Sequence, residues 1–127
     1  MKTLKLTRFV FPLVITLFLS FADTPVLAVD LESLLPEFAG RGNMMGGAEV
    51  CKLKDRNTFR KQSMRLIKES GLTAADQNEL KRTFVIEKEA AVEFYTKYGD
   101  ADNCDVLASD ITPMSEDDIQ LWIRMSR

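Results

Sequence analysis

The sequence predicts an all-α fold: a small helical bundle built on a long antiparallel helical hairpin, clamped by one disulfide and completed by a short C-terminal helix. Apolar residues recur at helical spacing over about residues 48–70 and again over 73–98, and only two residues separate these segments, which favours a hairpin. The only two cysteines, Cys51 and Cys104, lie near the start of the first predicted helix and just beyond the end of the second.

The first 28 residues have the pattern of a cleaved signal peptide. Three cations precede an uncharged apolar run over residues 9–22, and Ala28 fits the small-residue position before a cleavage site. We expect cleavage after Ala28, with cleavage after Ala22 as the alternative. The run is shorter than the roughly 18–20 residues that span a bilayer, so the mature form is expected to have no membrane span and to be periplasmic or secreted.

Composition narrows the classes of function. The chain has a formal net charge of −2 and no histidine. The negative charge argues against nucleic acid as a partner, and the missing histidine removes the commonest general base and the commonest zinc-binding nitrogen. Because no glycine-rich phosphate motif or nucleophilic serine motif occurs either, we expect no enzymatic activity, no cofactor and no metal site.

Residues 29–47 are expected to form a flexible N-terminal arm and a glycine-rich linker. Pro36 lies near the end of the apolar arm, and residues 39–47 hold four of the six glycines. Proline and glycine are poor residues for a helix interior. The helical domain is therefore expected to cover residues 48–127.

The two cysteines are expected to form a structural disulfide. An exported chain meets an oxidising compartment, and two thiolates without further ligands make a poor metal site. At 1.5 Å per residue, the first predicted helix rises about 30 Å beyond Cys51 and the second returns about 37 Å. A short turn would then bring Cys104 beside Cys51 at the open end of the hairpin.

The two long predicted helices are expected to bury their apolar faces against each other. The second helix carries six apolar residues at helical spacing: Leu80, Phe84, Ala91, Phe94, Tyr95 and Tyr98. Arg60 and Glu87 fall within the two apolar arcs at facing positions. We therefore predict a structural ion pair between Arg60 and Glu87, which would fix the register of the helices.

The last predicted helix covers residues 116–126 and begins after Ser115, a good N-terminal cap. One of its faces is expected to join the core and carries Ile119, Trp122 and Ile123. We expect Trp122 to pack against Phe84 or Tyr95, which would complete a three-helix core.

Leu121 and Met125 lie on a different side of this last helix and are expected to stay exposed. Exposed apolar patches on small exported domains are frequent docking sites, so these two residues are candidate binding residues. The N-terminal arm could extend their patch with four apolar residues: Leu31, Leu34, Leu35 and Phe38.

A basic stripe is predicted on the outer side of the first helix, at spacings of seven, four and three: Lys54, Lys61, Arg65 and Lys68. The sequence as a whole predicts a non-enzymatic protein that binds another exported or envelope protein, as chaperones, inhibitors and immunity proteins do, or that forms a homodimer. The alternative is a binder of anionic envelope components, such as lipopolysaccharide or acidic lipid, through the basic stripe.

Overall fold

The computed structural model of the protein describes residues 29–127, and the predicted signal peptide, residues 1–28, lies outside the described part. The described chain forms five helices and no strand: α1 (Leu31–Val50), α2 (Arg56–Lys68), α3 (Ala74–Tyr98), α4 (Ala101–Asp110) and α5 (Glu116–Ser126). The predicted fold class is confirmed: an all-α bundle with two long packed helices, one disulfide and a short C-terminal helix.

Helix α1 occupies the residues for which a flexible arm and linker were predicted, so that prediction is wrong. Asp30 caps the helix: its carboxylate accepts a hydrogen bond from the Ser33 backbone N–H, and Ser33 Oγ accepts one from the Asp30 N–H. Pro36 is exposed in the second turn and removes a single backbone hydrogen bond there. The helix then continues through the glycine-rich segment 39–47.

The glycines of α1 are tolerated because α3 packs directly on them. A Cβ atom placed on Gly46 would lie 2.7 Å from the Ala91 Cβ, and one on Gly42 would collide with the Phe84 backbone. This close backbone approach requires residues without a side chain. Because Gly42 faces Phe84 and Gly46 faces Ala91, α1 and α3 run in the same direction. They form the most extensive helix contact in the described chain.

The antiparallel hairpin predicted around residues 71–73 is present as α2 and α3. Gly71 adopts the left-handed backbone, with φ of 85°, and Thr73 Oγ1 accepts a hydrogen bond from the Asp76 N–H at 3.2 Å. The first arm is shorter than predicted, because α1 ends at Val50 and α2 begins only at Arg56. Helix α2 is thus the returning segment between the two long parallel helices.

Two clusters of buried apolar side chains form the core. The first joins α1, α2, α3 and α5: Leu34, Phe38, Leu66, Ile67, Leu80, Ile119 and Ile123. The second joins α1, α2, α3 and α4: Met45, Ala48, Phe59, Phe84, Leu107 and Ile111. The short helices α4 and α5 therefore cover opposite ends of the three longer ones.

The predicted disulfide is present between Cys51 and Cys104, whose Cα atoms lie 5.7 Å apart. Cys51 is the C-terminal cap of α1 and packs against the second core cluster. Cys104 lies in the first half of α4. The bond therefore ties the end of α1 to α4, and α4 directly follows α3. No helix among residues 29–127 is long and apolar enough to cross a membrane.

Candidate functional site

The structure divides the predicted basic stripe: Lys61, Arg65 and Lys68 lie on α2, whereas Lys54 lies in the turn before it. Ion pairs then engage one of the four cations. Arg65 donates two hydrogen bonds to the Glu116 carboxylate, both at 2.8 Å, and its Nε donates to Glu69 Oε2 at 2.9 Å. Such a bidentate pair has fixed geometry. The structure leaves Lys54, Lys61 and Lys68 as the exposed cations of the predicted stripe.

The Arg65–Glu116 pair also shifts the acidity of both groups. The hydrogen bonds from Arg65, with a smaller contribution from Gln120, lower the pKa of Glu116 to about 2. Hydrogen bonds to Glu116 and then to Glu69 raise the pKa of Arg65 above its ordinary value. Both groups are therefore charged at neutral pH, and Arg65 is engaged within the protein instead of presenting its charge to a ligand.

The ion pair predicted between Arg60 and Glu87 is not formed. Arg60 Nη1 donates to Asn57 Oδ1 at 2.8 Å, within α2 itself, and no ion pair found within residues 29–127 joins Arg60 to Glu87. The prediction required α2 to be the main partner of α3. Helix α1 takes that position, and the ion pair across the α1–α3 contact is Lys88 with Glu49, at 3.7 Å.

The inner face of α5, formed by Ile119, Trp122 and Ile123, packs on the core as predicted, but Trp122 contacts a different residue from the one expected. Ile119 and Ile123 are buried in the first core cluster. Trp122 packs edge-on against Phe38, with ring centroids 6.1 Å apart, and its Nε1 donates to Glu37 Oε2 at 3.0 Å. The predicted contact with Phe84 or Tyr95 is not formed because Trp122 packs on the first core cluster, whereas Phe84 and Tyr95 belong to the second.

The outer face of α5 is exposed as predicted. Leu121 is 48% exposed and Met125 is 67% exposed. Met125 also lines a shallow groove of about 320 Å³ between α5 and the start of α1, together with Val29, Ser33, Leu34, Glu37, Trp122 and Ser126. Leu34 and Phe38 are buried in the core, so they do not extend the Leu121–Met125 patch as the sequence suggested.

A larger apolar surface lies on α3, where the sequence predicted buried residues. Phe94 is 54% exposed and Tyr98 is 57% exposed, although both were assigned to the core face. Ile86 (49% exposed) and the exposed Ala90 precede them at intervals of four residues. Residues four apart are neighbours on a helix, so these four form one continuous strip, which we call the α3 outer row.

The aromatic end of the α3 outer row is ordered by ring contacts. The Phe94 centroid lies 5.2 Å from that of Tyr98 and 5.5 Å from that of Tyr95. Tyr95 turns inward: a Cβ atom on Gly47 would lie 2.9 Å from its ring. Phe94 therefore rests on the inner Tyr95, and Tyr98 rests on Phe94, while both Phe94 and Tyr98 remain about half exposed. These contacts lower the entropy cost of using the two rings for binding.

The i, i+4 spacing of Ile86, Ala90, Phe94 and Tyr98 is the sequence signal that could have located the α3 outer row. It was missed because the apolar arc of α3 was taken as a single face. The arc is in fact wider than α1 can cover. Helix α1 covers Phe84 and Ala91, whereas Phe94 and Tyr98 stay outside the contact.

Acidic residues accompany the α3 outer row. Glu89 and Glu93 are exposed, and each lies three residues after a member of the row. Neither takes part in any ion pair identified in the described chain. Lys97 lies against the Tyr98 ring, with its Nζ 5.3 Å from the centroid. The row is therefore apolar along its centre, and one of its edges carries two carboxylates, Glu89 and Glu93, followed by the cation Lys97.

No group of three or more His, Cys, Asp or Glu residues within 29–127 is arranged to hold a metal ion. Both cysteines are used by the disulfide. The arrangement that remains is a set of surfaces: the exposed lysines Lys54, Lys61 and Lys68, the Leu121–Met125 patch, and the α3 outer row. No family model matches the chain, and no curated protein or solved structure is significantly similar to it.

Proposed function

We propose that this chain is an exported, non-enzymatic helical protein that acts by binding another protein through the α3 outer row. The observation that carries the proposal is the exposure of two aromatic side chains, Phe94 and Tyr98, in line with Ile86 on one rigid helix. Leaving such a row in water is unfavourable unless it is covered for part of the protein's life. Aromatic anchors of this kind supply most of the binding energy in many interfaces.

The disulfide supports the exported location. Bonds between cysteines persist in the periplasm and outside the cell, and they are rare in a reducing cytosol. The pattern of residues 1–28 fits the same route. Periplasmic chaperones, inhibitors and immunity proteins act by presenting a binding surface, and they are the functional types that this proposal favours.

The alternative function, binding of anionic envelope components, is supported by three exposed lysines: Lys61 and Lys68 on α2 and Lys54 in the turn before it. It is weakened because Arg65, in the middle of the stripe, already binds two carboxylates. Salt separates the two functions: attraction of an anion to exposed lysines falls steeply as ionic strength rises, whereas apolar docking does not.

The proposal can be tested by crosslinking in the living cell. A photoreactive phenylalanine analogue would replace Phe94 in one variant and Lys81, an exposed α3 residue outside the row, in the control. Crosslinked adducts that form at position 94 and not at position 81 would support the proposal. Equal adducts at both positions, or adducts at neither, would contradict it.

A further inference from the structure

We infer that the partner segment of the α3 outer row is cationic and amphipathic: a segment of another protein with apolar anchors and flanking lysines or arginines. The inference rests on the proposed function and adds the chemistry of the partner.

The row has the dimensions of a helix-docking surface. From Ile86 to Tyr98 it extends over twelve residues, or about 18 Å at 1.5 Å per residue. Ala90, near its middle, is the smallest member and lies between larger side chains on both sides. A partner helix of about three turns can therefore place apolar residues at i, i+4 and i+7 on the row and come closest to α3 over Ala90.

Acidic residues outnumber cations in the segment that runs from the middle of the row through α4. Residues 87–110 contain seven acidic residues and two cations. The acidic residues are Glu87, Glu89, Glu93, Asp100, Asp102, Asp105 and Asp110. Of the cations, Lys88 is paired with Glu49 at 3.7 Å and Lys97 lies on the Tyr98 ring. Neither cation forms an ion pair with Glu89 or Glu93 among those found in residues 29–127, so these two carboxylates remain available to a partner of positive charge.

A second copy of this chain fits the row poorly. If two α3 helices packed in antiparallel fashion over Ala90, the same edge of each helix would face the other, so Glu89 of one copy would approach Glu93 of the other, and the same contact would occur twice. In a parallel arrangement, opposite edges of the two helices would face each other, so Glu89 of each copy would approach Glu87 of the other. Both arrangements bring carboxylates together as the apolar row is dehydrated, and like charges at an interface are costly.

The Tyr98 ring adds a further preference for cations. An ammonium group near an aromatic face is attracted by the negative potential of the ring, and Lys97 already occupies such a position within this chain. The exposed ring of Phe94 offers a second aromatic surface beside Glu93. A partner lysine or arginine can therefore contact a carboxylate and an aromatic ring together.

The test uses the exported protein, produced from the full 127-residue sequence, and two synthetic helical peptides with the same leucine face. One peptide carries lysine on its polar face and the other carries glutamate. Calorimetry should show the lysine peptide binding at least tenfold more tightly than the glutamate peptide, with affinity that falls as salt is raised. Equal affinity of the two peptides would overturn the inference.

Two variants separate this inference from the proposed function. Glu89→Gln with Glu93→Gln keeps the apolar row and should weaken the lysine peptide about fivefold, as expected for two rim charges. Asp117→Asn with Asp118→Asn makes the same charge change on α5 and should leave the affinity unchanged. Equal weakening by both double variants would show non-specific attraction and overturn the inference.

Phe94→Ala with Tyr98→Ala tests the row itself. This variant should weaken the lysine peptide by at least tenfold, since aromatic anchors commonly contribute that much, while circular dichroism stays unchanged. Unchanged binding would overturn both the inference and the proposed function. The alternative outcome is a dimer of the exported protein that the double variant Phe94→Ala with Tyr98→Ala dissociates. The row would then bind a second copy of the chain, which would overturn the inference of a cationic partner and leave the proposed protein binding through the row intact.

Discussion

Gly42 of α1 lies against the backbone of Phe84 of α3, so closely that a Cβ atom at position 42 would overlap the Phe84 carbonyl oxygen. The contact is between two main chains, so it cannot be relieved by the rotation of a flexible side chain. It shows why a segment rich in glycine is the most tightly packed helix of this bundle. The approach of α1 to α3 is therefore set by the absence of side chains at a few positions.

The Gly42–Phe84 contact predicts a large effect from the smallest substitution. Gly42→Ala should destabilise the protein by about 2 kcal/mol, because α1 and α3 must separate to admit the methyl group. Gly40→Ala is the matched control, since a Cβ at position 40 meets nothing within 4 Å, and it should stabilise α1 by about 0.5–1 kcal/mol. Urea unfolding measures both. Equal effects of the two substitutions would contradict the described packing.

The disulfide predicts a loss of stability on reduction. Cys51 and Cys104 are 53 residues apart in the sequence. For a loop of this length, the chain-entropy model predicts that the disulfide stabilises the folded state by about 4 kcal/mol. Cys51→Ala with Cys104→Ala should lower the free energy of unfolding by up to that amount. Reduction of the unmodified protein provides the control and should give a similar loss. Before reduction, the protein should contain no thiol that reacts with a labelling reagent.

The ion pair between Arg65 and Glu116 predicts that the stability of the protein decreases at low pH. The pKa of Glu116 is lowered from an ordinary value of 4.5 to about 2, so the folded state holds the charged form more strongly than the unfolded state does. The stabilisation from this pair is complete above about pH 4.5 and is lost as the pH falls towards 2. NMR titration should place the Glu116 carboxyl midpoint near pH 2.

Glu116→Gln should reduce the part of the acid-induced loss of thermal stability that occurs between pH 4.5 and 2, because its side chain does not titrate. Asp117→Asn, at the next position of α5, serves as the control for removing one charge from the same helix turn. The assignment of the pair would be wrong if Asp117→Asn reduced the acid sensitivity as much as Glu116→Gln.

The exposure of the outer face of α5 predicts that charged substitutions there do not disrupt the fold. Leu121→Asp with Met125→Asp should leave helical content and the disulfide intact, because both side chains are about half exposed or more. It should weaken association if a partner also contacts this patch. Ile123→Asp, on the buried face of the same helix, should unfold the protein or lower its melting temperature by more than 10 °C. Thermal melts followed by circular dichroism distinguish these outcomes.

The parts of the fold that depend on local chemistry could be predicted from the sequence. Thr73 and Ser115 cap their helices through their own hydroxyl groups, and Gly71 takes a backbone conformation that other residues avoid. The caps and the turn need no knowledge of distant partners. The pairing of Cys51 with Cys104 could also be predicted, because these are the only two cysteines of a chain with an export signal pattern, although the first arm of the predicted hairpin was too long.

The parts that depend on which helices meet could not be predicted. The glycines of α1 indicate a flexible segment when they are considered alone, and only the presence of α3 explains why they are helical. The same error explains the missing contact between Arg60 and Glu87, whose prediction assumed the wrong partner for α3. It also explains Phe94 and Tyr98, because helical periodicity shows which residues share a face but not how far a partner covers it.

The position of the disulfide has a mechanical consequence. If the two ends of the folded chain were pulled apart, tension would pass from α1 through the Cys51–Cys104 bond into α4 and would bypass the residues between them. Reducing the bond would release about 180 Å of additional chain, at about 3.4 Å for each residue of the 53-residue separation. Helix α3 and its outer row are therefore shielded from force along the chain for as long as the bond is intact.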